Sequence, residues 1–376
     1  MRYRGIYRFM AGFVRTDSSV GSAMGVFASD GEARKRACRL LRRGRAVGAV
    51  LCLFDGAGMV GVLTCGSAGG GKSALPSTWF RTASISKMVT AALAHGLKHR
   101  GLLDMDADVS DLLGFPLRAP KWPHVPITAA MLLSHTAAVR DTDVLFHPEY
   151  SLSEAAERLS FTGEEPGKAF NYSNEGAALL GAALEKAAGE DLDAILAREF
   201  GSVGTYFPSR LPADAQLSDG IRILPRRKTL FSGSAESRAA SAAPRRPGEN
   251  WNRAHGGLCL RAEGLAGIAR ALMTDDKYRE MRLEVIPMGK RDPWITEGKG
   301  LFVLRYPESG GRVIYGHQGL AYGAAHGVFF DPGSQRGALI LTSGCSLCRE
   351  YVLTDLNRAL IAEYLAPPEE GVWKKR

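Results

Sequence analysis

Ser84 and Lys87 stand three residues apart in the tetrad Ser84-Ile85-Ser86-Lys87, at the head of an alanine-rich run. On a helix this spacing puts both side chains on one face, so the lysine amine can reach the serine hydroxyl. Such a pair can make an oxygen nucleophile, because the amine can take the proton while the positive end of the helix faces the developing charge. A capping serine and a snorkelling lysine would fit the same four letters. The neighbours favour chemistry: Met88, Val89, Ala91, Ala92, Leu93 and Ala94 leave little polar face over residues 82–98, and a lysine in such a helix needs a reason. Two further groups follow in order, Tyr172-Ser173-Asn174 at the mouth of a long helical run and His317-Gln318-Gly319 on a strand and its continuation. Gly319 would let a substrate run close along the backbone there.

A second motif competes. Gly66-Ser67-Ala68-Gly69-Gly70-Gly71-Lys72-Ser73 fits the phosphate-binding pattern G-x-x-x-x-G-K-[ST] and follows a strand. That loop works only if a helix starts at its end and aims N–H groups and its dipole at the phosphates. Pro76 removes an amide and disfavours helix at Leu75, breaking the required first turns. The preceding strand also reads as half of a hairpin, whereas a phosphate loop belongs to a parallel sheet with crossover helices.

The elements that must hold these groups come from both chain ends. Residues 31–44 read as a basic helix, and residues 47–54 and 58–65 as two strands joined at Asp55-Gly56. Residues 128–134, 152–159 and 175–188 carry helical apolar spacing, with Ser151 and Asn174 placed as caps. Residues 262–273 read as another helix. Strands return over 300–306, 312–316, 325–330 and 338–342, and a helix over about 349–364 closes the chain. The pattern predicts an α+β fold: one antiparallel sheet assembled from both ends, flanked by helices, with an all-helical lobe inserted between. The expected boundaries are a flexible leader over 1–30, one domain over 31–366 and a basic tail over 367–376. Within the domain the sheet lobe takes about 31–82 and 296–366, the helical lobe about 83–295, and a Ser/Ala/Arg/Pro-rich mobile insertion 233–250.

Composition is that of an ordinary globular protein, with 45% hydrophobic and 23% charged residues. No apolar stretch approaches the roughly 18–20 residues of a membrane span. The formal charge of +9 comes from clusters such as Arg34-Lys35-Arg36 and Arg226-Arg227-Lys228. No aromatic interleaving or nucleic-acid motif accompanies them, so they read as solvated faces with no nucleic-acid partner, compatible with anionic substrates or surfaces. Cysteines at 38, 52, 65, 259, 345 and 348 show no disulfide framework, and no metal-ligand cluster is evident. Cys345-Ser346-Leu347-Cys348 would open a helix, where the dipole favours a thiolate. The first residues carry Arg2, Arg4 and Arg8 without the apolar run of a secretory signal, which predicts a cytoplasmic protein.

Ser-x-x-Lys, Tyr-Ser-Asn and His-x-Gly, in that order, resemble the three active-site motifs of the β-lactamase-related serine hydrolases: class C β-lactamases, D-alanyl-D-alanine carboxypeptidases and related esterases. Residues 80–87, Leu132-Leu133-Ser134-His135-Thr136 and residues 254–263 resemble the family as well, and the likeness covers roughly 35–366. It implies a cleft between sheet and helical lobe holding Ser84, Lys87, Tyr172, Asn174 and His317, and a small acyl or peptide substrate with no cofactor. Ser84 would attack a carbonyl, Lys87 and Tyr172 would share removal of its proton, and water would release the acyl-enzyme. Asn174 would hold the substrate amide or orient Lys87, and His317 and Gly319 would line the substrate. The backbone N–H groups of Ser84 and Leu320 would take the oxyanion. Free lysine and tyrosine are each only about one part in a thousand deprotonated at neutral pH. Bringing one near neutrality takes roughly 4 kcal/mol, which the lysine cation would supply to a tyrosinate beside it while the helix dipole disfavours the lysine proton, so that the two titrate as one unit. Class C enzymes usually carry lysine in the third motif, and His317 is closer to the carboxypeptidase and esterase members. A small ester, amide or D-amino-acid peptide therefore fits better than efficient β-lactam turnover, with weak β-lactam acylation alongside. The alternatives from other classes are a nucleotide-binding protein using Gly66–Ser73 and a catalytically silent binding module of the same fold. Oligomeric state is not encoded in any of these signals.

Overall fold

The computed structural model describes residues 19–147, 149–224, 227–231 and 244–366. Its centre is a ten-stranded antiparallel sheet. The strands are β1 (Val20–Gly25), β2 (Gly48–Asp55), β3 (Met59–Gly69), β4 (Glu284–Pro287), β5 (Ile295–Gly298), β6 (Phe302–Leu304), β7 (Ile314–Ala321), β8 (Ala324–Asp331) and β9 (Arg336–Gly344). Their spatial order is β1-β3-β2-β9-β8-β7-β6-β5-β4, with the short strand Lys72–Ser73 added to β3. The two chain ends meet at the β2–β9 pairing, in one register from Ala49↔Thr342 to Asp55↔Arg336, with a shift before Gly48↔Gly344. Asp55 closes the β2–β3 turn by accepting the N–H groups of Ala57 (2.8 Å) and Gly58 (3.0 Å).

Both faces of the sheet are covered, which is why β2 reads as an unbroken apolar run. Side chains alternate along it. Val50, Cys52 and Phe54 enter the core shared with the helical lobe, while Ala49, Leu51 and Leu53 enter a second core on the opposite face. That second core is roofed by α1 (Gly31–Arg43) and α6 (Asp355–Tyr364). α1 starts on Asp30, whose carboxylate accepts two first-turn N–H groups, and turns Ala33, Ala37, Leu40 and Leu41 inward.

On the site face lies α2 (Ile85–His99), buried on every side from Ile85 to Leu97. Its polar members are satisfied: Ser86 Oγ accepts the Leu258 N–H (3.1 Å) and Thr90 Oγ1 pairs with the Tyr206 hydroxyl (2.9 Å). α3 (Asn174–Ala188) and α4 (Leu192–Phe200) pack against α2, and α5 (Ala262–Thr274) lies on β2, β8 and β9.

Several boundaries differ from the sequence reading. Val20–Gly25, assigned to the leader, is a strand paired with β3, with Val26 and Phe27 in the core beyond it. β4 and Ile295 belong to the sheet rather than the helical lobe, as does α5 by its packing through Leu265, Ile268 and Leu272. Ser173, not Asn174, caps α3. The last helix begins at Asp355 on the Thr354 cap, so Cys345 and Cys348 are not at a helix N-terminus. Both are free and buried, and burial pushes the Cys345 thiol up to about 11. Residues 233–243 of the expected insertion, residues 1–18 and the tail 367–376 lie outside the described residues. The insertion's last residues are tied down: Gly248 N–H (2.7 Å) and the Asn250 side-chain amide (3.1 Å) donate to the buried Glu185. Among the described residues no helix is long and apolar enough to cross a membrane, and no His/Cys/Asp/Glu group is arranged to hold a metal.

Candidate active site

The nucleotide-binding alternative does not survive the geometry of residues 66–73. β3 runs through Gly69, the backbone reverses at Gly69, Gly70 and Gly71 (φ +103°, +55° and +74°), and Lys72–Ser73 pairs back onto β3. Ser67 Oγ donates to the Lys72 carbonyl (3.1 Å), closing a hairpin tip. The next helix is α2, beginning at Ile85, so no helix dipole points into this loop.

Ser84 sits at the N-cap position of α2, half-buried. It is preceded by Ala83 at φ +51°, an uncommon conformation for a residue with a Cβ, held where Thr82 and Ala83 carbonyls accept the Ile85 (3.2 Å) and Ser86 (2.9 Å) N–H groups. Lys87, 6% exposed, points its amine back along the same face. The Lys87 Nζ has three oxygens around it: Ser84 Oγ at 3.1 Å, Asn174 Oδ1 at 2.8 Å and the His255 carbonyl at 2.6 Å. Burial pulls the Lys87 pKa down to about 7, against an opposing pull from the Asp141 carboxylate.

That arrangement fixes where the lone pair goes. A neutral amine has two N–H bonds and one lone pair. The His255 carbonyl can only accept. Asn174 is held by Asp141, whose carboxylate accepts the Asn174 side-chain amide (2.6 Å) and thereby turns Asn174 Oδ1, another obligate acceptor, toward Lys87. The two N–H bonds are therefore used on Asn174 and His255, and the lone pair faces the Ser84 hydroxyl.

Asp141 was not foreseen from the sequence, yet it organises the mouth of α3. Besides the Asn174 amide it accepts the Ser173 hydroxyl (2.9 Å) and the backbone N–H groups of Asn174 (2.7 Å) and Glu175 (3.0 Å). Removing its charge takes away an attraction that favours the protonated amine. The other groups around Lys87, the imidazoles of His135, His255 and His317, are held neutral by burial. Asp141→Asn is therefore expected to lower the Lys87 pKa below its present value near 7. The check is the pH dependence of acetic anhydride labelling at Lys87 read by mass spectrometry; a midpoint that stays put or rises refutes the assignment.

Tyr172 lies over the pair. The Lys87 amine is 5.0 Å from the centre of its ring, and its phenol is hydrogen-bonded to Ser84. Desolvation in the cleft holds that phenol well above its ordinary range, in spite of the Ser84 contact. Of the two shifts expected, the lowered pKa falls on Lys87 and the tyrosinate is disfavoured, so Tyr172 keeps its proton. The ring is fixed by His135, which packs against it (centroids 4.2 Å apart), accepts the Ser173 N–H on Nδ1 (3.2 Å) and accepts the Asn171 N–H on its carbonyl (2.8 Å).

His317 is 2% exposed on β7, stacked on Phe302 with centroids 4.2 Å apart. Its Nδ1 donates to the Gln318 carbonyl (2.6 Å), leaving Nε2 as an acceptor. Burial and the nearby lysine charge push its pKa down to about 3. It is uncharged at neutral pH and offers an acceptor rather than a cation to the cleft. Gly319 also differs from expectation. A Cβ there would collide with the Thr82 carbonyl oxygen, so the close approach the glycine permits is that of the protein's own Thr82–Ala83 backbone, drawing β7 against the segment carrying Ser84. Leu320 follows, lining both cavities that open beside Ser84. One, of about 310 Å³, includes Arg81 and Arg253; the other, of about 410 Å³, includes Tyr172 and His317; Ser84 and Asn174 line both.

Comparison with known proteins finds relatives of the chain and of its fold. The family model described as beta-lactamase matches residues 33–363. EstCE1, described as a hydrolase with promiscuous acyltransferase activity, superposes with a TM-score of 0.71 at 21% identity, covering 89% of this chain and 100% of that one. The D-amino acid amidase from Ochrobactrum anthropi SV3, complexed with L-phenylalanine, gives a TM-score of 0.68 at 18% identity over 88% and 97% of the two chains. A probable fimbrial assembly protein FimD from Dichelobacter nodosus is 36% identical over 127 residues. That match spans 31% of this chain and only 31% of the relative.

Proposed function

The chain belongs to the beta-lactamase family, and from that premise we propose that it is a serine hydrolase working through an acyl-enzyme on Ser84. The observation that carries the reading is the Lys87 amine, with two N–H bonds committed to obligate acceptors and its lone pair on the Ser84 hydroxyl. With a pKa near 7, about half of the lysines are already neutral at neutral pH. Lys87 takes the Ser84 proton as Oγ attacks the substrate carbonyl, and the resulting ammonium is held by the same acceptors. The N–H groups of Ser84 and Leu320 take the oxyanion. Tyr172, protonated and bonded to Ser84 Oγ, passes a proton to the leaving group and recovers one from the Lys87 ammonium, which restores the neutral amine. Water then enters the vacated half of the cleft, Lys87 takes a proton from it as it attacks the acyl carbon, and Ser84 Oγ leaves with that proton as the acid is released. No step calls for a metal or cofactor.

The substrate class is a small ester, an amide or a D-amino-acid peptide, with slow acylation by β-lactams. The family relationship and the presence of a hydrolase with acyltransferase activity and a D-amino acid amidase among the structural neighbours support that range. Incubation with a fluorophosphonate or a fluorescent penicillin, followed by peptide mass spectrometry, is expected to find the adduct on Ser84 and to lose it in Ser84→Ala. A well-folded protein that no acylating probe labels would instead be a binding module that kept the cleft.

A further inference from the structure

Glu175, in the first turn of α3, is fully buried. Its Oε1 accepts both hydrogens that Thr142 offers, the backbone N–H at 2.6 Å and the hydroxyl at 2.7 Å. Its other oxygen has no hydrogen-bond partner among the described residues. Burial pushes the Glu175 carboxyl above its ordinary range against the two Thr142 bonds, and the neighbouring Asp141 and Asp143 push the same way. Burying a carboxylate with one oxygen unpartnered costs stability, and a neutral side chain would accept the same two hydrogens without that cost. The acylation chemistry proposed above makes no use of Glu175.

Thr142 directly follows Asp141, the carboxylate that turns Asn174 toward Lys87. Asp141 in turn accepts the Glu175 backbone N–H at 3.0 Å. Residues 141–142 and 174–175 therefore brace each other in both directions, each segment's carboxylate taking a backbone N–H of the other. Before Asp141 the chain is fixed by the pairing of Val139–Arg140 with Ser160–Phe161 and by the Asn171 side-chain amide on the Val139 carbonyl (2.6 Å). After Asp141 it is Glu175 that fixes it. The Thr142 hydroxyl also accepts the Val144 N–H (3.2 Å), at the start of the turn Val144–Phe146, and Leu145 and Phe146 line the 310 Å³ cavity. Without an acceptor at position 175, the Thr142 N–H and hydroxyl lose their partner, and residues 141–142 can swing away from α3 with the Asp141 carboxylate. The Asn174 amide would then lose the group that directs its Oδ1 at the Lys87 amine.

We infer that Glu175 is a positioning residue for the Ser84–Lys87 pair: by holding Thr142 it keeps the Asp141 carboxylate on Asn174, and through Asn174 it fixes the direction of the Lys87 lone pair. The inference rests on the proposed Ser84 chemistry for its consequence, and its test separates the two. Acetic anhydride labelling of Lys87, followed against pH by mass spectrometry, needs no turnover. Asp141 is the charged group that raises the Lys87 pKa, so its displacement in Glu175→Met is expected to lower the labelling midpoint by about half a pH unit or more. Glu175→Gln keeps an acceptor for Thr142 and should leave the midpoint near wild type. On an Asp141→Asn background Glu175→Met should shift it no further, because the charge it acts through is already gone. A merely structural role would lower the yield of folded protein and leave the midpoint in place. Thr142→Val, which removes one of the two hydrogens from the other side of the brace, should move the midpoint in the same direction and serves as the second variant if Glu175→Met does not fold. An unshifted midpoint in the folded variant, or an equal further shift on the Asp141→Asn background, overturns the assignment. For an activated ester, kcat is expected to fall about tenfold to a hundredfold in Glu175→Met, the scale of a misplaced reacting group, with most of the rate restored in Glu175→Gln. Ester hydrolysis that persists undiminished in Ser84→Ala would overturn the hydrolase reading and leave the labelling result to decide the brace by itself.

Discussion

Replacing Lys87 with methionine is expected to lower kcat/KM for an activated ester by about 10³- to 10⁴-fold, the upper range for loss of a positioned general base. Methionine keeps the unbranched stem that fills the core beside α2 while removing the lone pair aimed at Ser84 Oγ, 3.1 Å away. The wild-type rate should rise with pH through about 7, where Lys87 loses its proton, and that limb should disappear from whatever activity the variant retains. A stability measurement separates the base from a merely structural lysine. The folded pKa of Lys87 lies below that of the unfolded chain, so between about 7 and about 10.4 the unfolded state binds more protons. Stability referable to this group is therefore gained as pH rises across that window and is lost as pH falls toward 7. The difference in unfolding free energy between wild type and Lys87→Met should move in favour of wild type from pH 7 to pH 10. A difference flat in pH, or a variant with near-wild-type turnover, would remove Lys87 from the proposed role.

Much of this site was legible because its members lie at element ends that have strong local signatures. The tetrad at Ser84 opens a helix too apolar to excuse a lysine, and Tyr172-Ser173 precedes a fifteen-residue helix, Asn174–Ala188, rich in Ala and Leu. The hairpin of β2 and β3 was readable from its turn residues, and the same hairpin explains why the phosphate-loop pattern at Gly66–Ser73 carries no phosphate site: the glycines serve a reversal between paired strands. What the sequence could not supply were contacts between segments distant in the chain. Asp141 stands in a short connecting stretch with no periodic signal, and its importance comes from meeting the first turn of α3. The His255 carbonyl is a backbone atom and leaves no mark in a pattern of side chains. The direction of the pKa shifts was hidden for the same reason. Proximity of Lys87 and Tyr172 could be guessed from the motifs, but which proton is lost depends on how deeply each is buried, and burial is a property of the whole fold. β1 was missed because an edge strand of six residues with a mixed exposure pattern shows neither clean alternation nor an apolar run.

Tyr172→Phe is expected to separate the two proposed substrate classes, amides and esters. The phenylalanine ring can keep the stacking against His135 and the face presented to Lys87, so the fold and the lysine environment should persist. What is lost is one O–H group, bonded to Ser84 and held protonated by desolvation. If Tyr172 delivers a proton to the leaving group, its loss matters in proportion to how badly that group needs one. An amide nitrogen must be protonated to leave, and hydrolysis of a D-amino-acid amide should fall by about 10²- to 10³-fold, within the range for loss of a general acid. A 4-nitrophenolate leaves as a stable anion, and the same variant should keep 4-nitrophenyl ester hydrolysis within a few-fold of wild type. A tyrosinate acting as the base on Ser84 would give a different result, because both substrates require the nucleophile and both would lose activity equally. The ratio of the two rate constants, measured on one preparation, therefore decides between a proton donor and a base at position 172 even if the variant is partly misfolded, since inactive protein lowers both rates alike.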